Sequence, residues 1–140
     1  MLLPDINVWI ALAFDSHLHH AAALKWFQTS NDLPLYFCRL TQQGFLRIAT
    51  NPKAVGADAV TLNNAWSLYD QMLGDDRIVY KDEPKGIEPV WRRLTVDYKF
   101  SNKVWSDAYL AAFAIQGSLR LVSFDKGFAK FPDLQSQILS

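Results

Sequence analysis

Three aspartates stand where this chain can do chemistry. Asp5 follows the apolar run MLLP and Asp125 follows LVSF, so each comes just past the carboxyl end of a predicted strand. In an open parallel sheet that edge is where ligands bind. Asp107 falls in the first turn of a predicted helix, where the helix dipole favours an acid, and Ala108, Tyr109 and Leu110 anchor that helix in a core. Should the three carboxylates converge, they repel one another, and at least one keeps its proton unless a cation intervenes. Only oxygen ligands are on offer, with no Cys/His spacing of a zinc site, so hard Mg²⁺ or Mn²⁺ is the natural occupant. Such an ion activates water and stabilises charge on a phosphodiester. Plainer readings stand beside this one. Asp107 also suits a simple helix-start acid, and Asp125 suits the Asp-x-Gly turn of FDKGF. Asp5, wedged between MLLP and NVWIAL, is poorly placed for simple solvation. Residue types alone leave the cluster and the plainer readings both open.

The elements that must position these acids follow from periodicity. Strands are predicted over residues 1–4, 35–38, 77–80 and 120–123. Helices are predicted over 7–14 with Asn7 as N-cap, 19–29, 42–50 with Thr41 as cap, 62–73, 87–98, and 105–116 closed by Gly117 at C′. The tail from Phe128 receives no assignment. Four short strands alternating with helices imply an α/β domain around a mainly parallel sheet, and without repeat or linker residues 1–140 read as a single domain.

Composition bounds the function. Lys+Arg and Asp+Glu both number 14, and the zero net charge argues mildly against a nucleic-acid partner, although an acidic cluster and a basic rim would cancel in the sum. Five Trp, five Tyr and nine Phe fit a well-filled core. Cys38 is the one cysteine, so no internal disulfide forms. The N-terminus lacks the pattern of a signal peptide, and the richest apolar stretch, 108–115, is too short for a bilayer. A soluble cytoplasmic protein without membrane association is the expectation.

Four segments in order carry a family resemblance. MLLPDINVWIALAF resembles the opening of PIN domains, with an aspartate after the first strand, then x-Asn and an apolar helix. SDAYLAAFA followed by LRLVSFDKGF resembles that family's closing half. LTQQGFLRIATNP resembles the middle segment of a VapC-type subgroup, and HLHHAAALKWF fits its second helix. The resemblance implies a three-layer α/β/α fold and a metal-dependent ribonuclease, the toxin of a toxin–antitoxin pair. It implies Mg²⁺ (or Mn²⁺) held by Asp5, Asp107 and Asp125, with Asn7 and Ser123 orienting the carboxylates by hydrogen bonds. RNA would be the substrate, with tRNA one candidate class; a small cognate antitoxin and a second copy in a homodimer would be the partners. There is one departure: residues 39–51 hold no carboxylate where many PIN domains carry a glutamate, and Gln42 or Gln43 lies near that place, Gln43 being taken as the supporting residue. This bears on a second metal more than on the first.

Other residues carry open readings. Arg47 is a candidate RNA-phosphate contact, with Arg39, Lys53, Lys99 and Lys103 as ordinary surface charge or a basic rim. Trp105 suits base stacking or the core. His17, His19 and His20 read as a solvated helix start rather than ligands, and the amphipathic run 64–73 as core or a partner contact. An aspartate-nucleophile phosphatase would need a second aspartate where Asn7 stands. A PIN-like RNA-binding or assembly module without catalysis is the competing class.

Overall fold

The structure is a computed structural model that describes residues 1–96 and 101–140. Its strands are β1 (Leu2–Pro4), β2 (Leu35–Phe37), β3 (Ile78–Tyr80), β4 (Arg120–Ser123) and β5 (Ser136–Ile138), all paired in parallel in the order β3-β2-β1-β4-β5. Its helices are α1 (Ile6–Ala13), α2 (His20–Thr29), α3 (Arg39–Ala49), the single turn α4 (Pro52–Val55), α5 (Leu62–Leu73), α6 (Ile87–Thr95) and α7 (Val104–Gly117). Residues 56–58 and 126–130 form 3₁₀ turns.

Side-chain alternation along the strands divides the interior into two cores. Leu2, Leu35, Phe37, Ile78 and Val122 face one side and pack with Val8, Trp9 and Ile10 of α1, Trp26 of α2, Phe45 of α3 and Tyr69 of α5. Leu3 and Leu121 face the other and pack with Ile87 and Leu94 of α6, the alanines of α7, and Phe128 and Phe131. With period two, neighbours on a strand must serve opposite layers. The result is the expected three-layer α/β/α arrangement. Trp9 stacks on Phe37 with centroids 3.9 Å apart, and its Nε1 is the one buried side-chain nitrogen or oxygen without a partner among the described residues.

Several predicted boundaries move, each for a local reason. Asp5, not Asn7, caps α1, because its Oδ1 accepts from the Ile6 N–H at 2.7 Å. Cys38 is the N-cap of α3, and Thr41 is its third residue, accepting the Cys38 N–H at 3.0 Å; this starts the helix three residues before Gln42. Gly117 is the last residue of α7, and Ser118 takes the left-handed conformation (φ 55°) that closes it. Helix α6 ends at Thr95; the predicted extension over 97 and 98, and Lys99, lie outside the described residues. β5 has no counterpart among the predicted strands. Among the described residues no helix is long and apolar enough to cross a membrane.

Candidate active site

The strand order places the site. From β1 the chain moves outward to β2 and β3, while β4 and β5 are added on the other side, so the connections diverge between β1 and β4. Such a switch point opens a crevice at the carboxyl ends of the strands. Register then sets the residues: Pro4 is paired with Val122, and the Asp5 N–H donates to the Val122 carbonyl at 2.8 Å. Asp5 therefore lies beside Ser123.

Ser123 is fully buried, and its hydroxyl is the hub. Its Oγ donates to Asp5 Oδ2 at 2.8 Å and accepts from the Asp125 N–H at 2.9 Å and from Asn7 Nδ2 at 3.2 Å. That uses the one donor and both acceptor positions of a hydroxyl. Asn7 Oδ1 also accepts the Phe124 N–H at 3.3 Å, tying α1 to the loop after β4. Asp125 accepts the Gly127 N–H on Oδ1 at 2.8 Å, so the Asp-x-Gly turn is present, while its Oδ2 faces the ammonium of Lys103. The turn uses Oδ1 and leaves Oδ2 toward the cleft.

Asp107 enters from the first turn of α7, nearly buried, with Lys103 Nζ 3.9 Å from its Oδ2. Asp5, Asp107, Asp125 and Lys103 line one cleft of about 310 Å³ together with Ile6, Asn7, Ser106 and His17. Where the middle carboxylate is missing, Leu40 and Ile48 give this cleft an apolar wall.

The charges are not at ease. Burial holds the Asp5 carboxyl above the ordinary range; the Ser123 and Ile6 hydrogen bonds oppose that shift, and the Asp125 charge adds to it. Burial also raises Asp107, with Asp5 and Asp125 adding and Lys103 opposing. Asp125 is held low by the Lys103 ammonium and the Gly127 N–H, and Lys103 is raised in return. The Lys103 ammonium thus stands where the carboxylate field draws a cation.

That field and the all-oxygen donor set fit a hard divalent ion. Among the described residues no three His, Cys, Asp or Glu side chains gather as a ready-made cage. Mg²⁺ does not require one, since it keeps several waters and takes one or two carboxylates.

Two predicted residues are not brought here. Gln43 is exposed and does not line the cleft; Gln42 is the buried one, accepting from Arg39 Nη1 at 2.5 Å. Arg47 lines a separate groove with Leu46, Thr50, Leu62, Ala65 and Trp66. Trp105 is half-exposed and lines another groove with Trp91, whose Nε1 donates to its carbonyl at 3.0 Å. Lys103 lines the cleft with more contacts to the acids than the sequence reading, which took it as surface charge or a basic rim, gave it; its spacing four before Asp107 was the available signal.

The PIN domain family matches residues 2–134. Ribonuclease VapC41 of Mycobacterium tuberculosis is 43% identical over 145 residues, covering 100% of this chain and 99% of that protein. The chain belongs to the PIN-domain family. Ribonuclease VapC38 of the same organism is 37% identical over 134 residues, covering 91% of this chain and 86% of that protein. Two solved structures share the fold at 12% identity. VapBC2 from Rickettsia felis, bound to a DNA fragment from its promoter, superposes with TM-score 0.73 over 99% of this chain and 98% of that one. VapC20 of M. tuberculosis, described as a Sarcin-Ricin loop cleaving toxin, gives 0.69 over 94% and 95%. In this PIN domain the β1–β4 crevice is the edge that holds the acids.

Proposed function

We propose that this protein is a VapC-type toxin endoribonuclease in which Asp5, Asp107 and Asp125 hold Mg²⁺, or Mn²⁺, at the β1–β4 crevice. The observation that carries this is the meeting in one cleft of three aspartates from distant parts of the chain, two of them joined through Ser123. The ribonuclease names of relatives that align with nearly all of the chain support it. When bound, the ion activates a water and neutralises charge on the phosphodiester that is hydrolysed.

The residues of the chain prepare that chemistry. Ser123 and the Ile6 N–H fix the Asp5 carboxylate in one orientation, and the Gly127 N–H does so for Asp125. Small Ala108, Ala111 and Ala112, all fully buried, let α7 approach the sheet closely enough to deliver Asp107. Lys103, two-thirds exposed on its side chain, is free to leave the carboxylates and meet an RNA phosphate.

The substrate is RNA, with tRNA as one class to test, and the enzyme acts in the cytoplasm. A small antitoxin silences it, a reading supported by the toxin–antitoxin complexes that share its fold. The active form is a homodimer. Thermal melts test the site itself. With Mg²⁺ at 100 times its Kd the fold gains about 2.7 kcal/mol over chelator, and Asp107→Asn loses most of that gain. Equal melting temperatures with and without Mg²⁺ in the wild type would remove the support for a metal enzyme and favour the non-catalytic RNA-binding module.

A further inference from the structure

The cleft that holds the three aspartates is also lined by His17, from the loop between α1 and α2, and by Ala54 and Val55 of α4. These same three residues line a second pocket of about 300 Å³ with Phe14, Ser16, Leu18 and Asp58. His17 therefore stands at the border between the carboxylate cleft and a further hollow of similar volume.

The chemistry of its ring is set by one hydrogen bond. His17 Nδ1 lies 3.0 Å from the backbone nitrogen of His19. A backbone amide only donates, so Nδ1 is the acceptor and the neutral ring carries its proton on Nε2. Burial, with His19 and His20 nearby, lowers the tendency of the ring to take a second proton. Among the described residues nothing bonds Nε2. The loop is also fastened: Ser16 Oγ donates to the Asp58 carboxylate, the His17 N–H donates to the Phe14 carbonyl at 3.0 Å, and the His19 ring stacks on Phe124 at 4.4 Å, one residue before Asp125. A neutral N–H donor is thus held at the cleft by a loop tied to both α4's neighbourhood and the active-site strand.

We propose that His17 is a substrate-binding residue whose Nε2–H donates to a phosphate oxygen of the RNA as the strand passes from the carboxylate cleft into the adjoining pocket. This rests on the ribonuclease reading above. The contact is neutral, so it releases no counterion and adds affinity without adding salt dependence. It lies outside the carboxylate cluster, so it holds ground state and transition state alike and acts on KM rather than kcat.

Three substitutions separate this role from a structural one. Glutamine places an amide N–H near the position of Nε2, whereas asparagine places an acceptor near Nδ1 and restores only the bond to His19. Binding of a labelled single-stranded RNA of mixed sequence is measured by fluorescence anisotropy in an Asp5→Asn background, and cleavage in the otherwise wild-type protein. His17→Ala weakens binding by about tenfold to a hundredfold, the effect of one hydrogen bond to a charged oxygen. His17→Gln recovers most of it and His17→Asn does not. The slope of log Kd against log salt stays that of the parent, and KM rises while kcat holds. Unchanged binding in His17→Ala, recovery by asparagine instead of glutamine, or a slope reduced by about one unit would each overturn the assignment. A parent protein that binds no RNA would overturn the ribonuclease reading as well, and that measurement on the parent alone tells the two failures apart.

Discussion

Asp5 performs three tasks with one side chain: it caps α1 through Oδ1, accepts from Ser123 through Oδ2, and presents its charge to the cleft. Ser123 is the residue on which these tasks depend, since its hydroxyl also receives Asn7 and the Asp125 backbone. Ser123→Ala leaves the Asp5 carboxylate unsteered, and a loss of about 10–100-fold in metal affinity or cleavage is expected, the usual cost of removing a group that orients a metal ligand; isothermal titration with Mg²⁺ and cleavage rates measure it. Asp107 gives a prediction with a sign. Its folded pKa lies above the ordinary 3.8, so its protonated form favours the fold, and that contribution is lost as pH rises from about 3.8 through the raised value. In chelator, Asp107→Asn therefore melts at a temperature that climbs relative to wild type across that window, by about 2–4 °C per kcal/mol. A difference in melting temperature between the variant and wild type that stays flat as pH rises through that window would show that Asp107 is not under charge strain. The three aspartates, Asn7 and Ser123 were legible because strand ends and a helix start are local signals. Lys103 was legible only as one of several rim candidates and His17 only as part of a solvated helix start, because a lysine just before a helix and a histidine in a loop look like solvated surface until the fold turns them to the cleft.

At the scale of elements, the site depends on how closely α3 passes α1. A Cβ added at Gly44 would meet Ile6 Cδ1 at 2.1 Å and Cγ1 at 2.7 Å, and Ile6 lines the cleft next to Asp5. Gly44→Ala gains about 1 kcal/mol of helix propensity and loses about 1–3 kcal/mol to overpacking. Stability thus falls by up to about 2 kcal/mol, and cleavage falls further because Ile6 is driven toward the carboxylates; chemical denaturation and rates at saturating RNA distinguish the two. Wild-type cleavage in this variant would mean that Ile6 turns away from the cleft without consequence. The register of β1 on β4 is the other determinant: both strands are short continuous apolar runs buried on both faces, with Leu2 and Val122 serving one core and the paired Leu3 and Leu121 the other. β5 was hidden because Ser136–Ile138 is a three-residue edge strand, mostly exposed, with no alternation long enough to detect. Helix starts shifted for a different reason: Asp5 and Asn7 are both favoured N-cap types and Asp5 is the one that accepts the Ile6 N–H, while at α3 the cap is Cys38, a residue that cap preference does not single out.

The whole molecule balances 14 basic against 14 acidic residues, yet its charge is unevenly spent, with three aspartates drawn into one cleft that a single lysine partly neutralises. A zero sum therefore says little against an RNA substrate. Trp66, Leu62 and Trp105 remain at least half-exposed over two grooves away from the cleft, surfaces suited to protein partners. The overall class was readable from the alternation of strands and helices, whereas the convergence of residues 5, 107 and 125 depends on the strand order and on how α7 packs against the sheet. The proposed metal-dependent ribonuclease activity rests on this convergence. Its most direct test is incubation of purified, antitoxin-free protein with total cellular RNA in Mg²⁺ or Mn²⁺, in chelator, and with the Asp5→Asn variant. Discrete fragments are expected with metal and should disappear in chelator and with the variant. Intact RNA under every condition, from protein shown to be folded, or fragments that persist with Asp5→Asn, would contradict it.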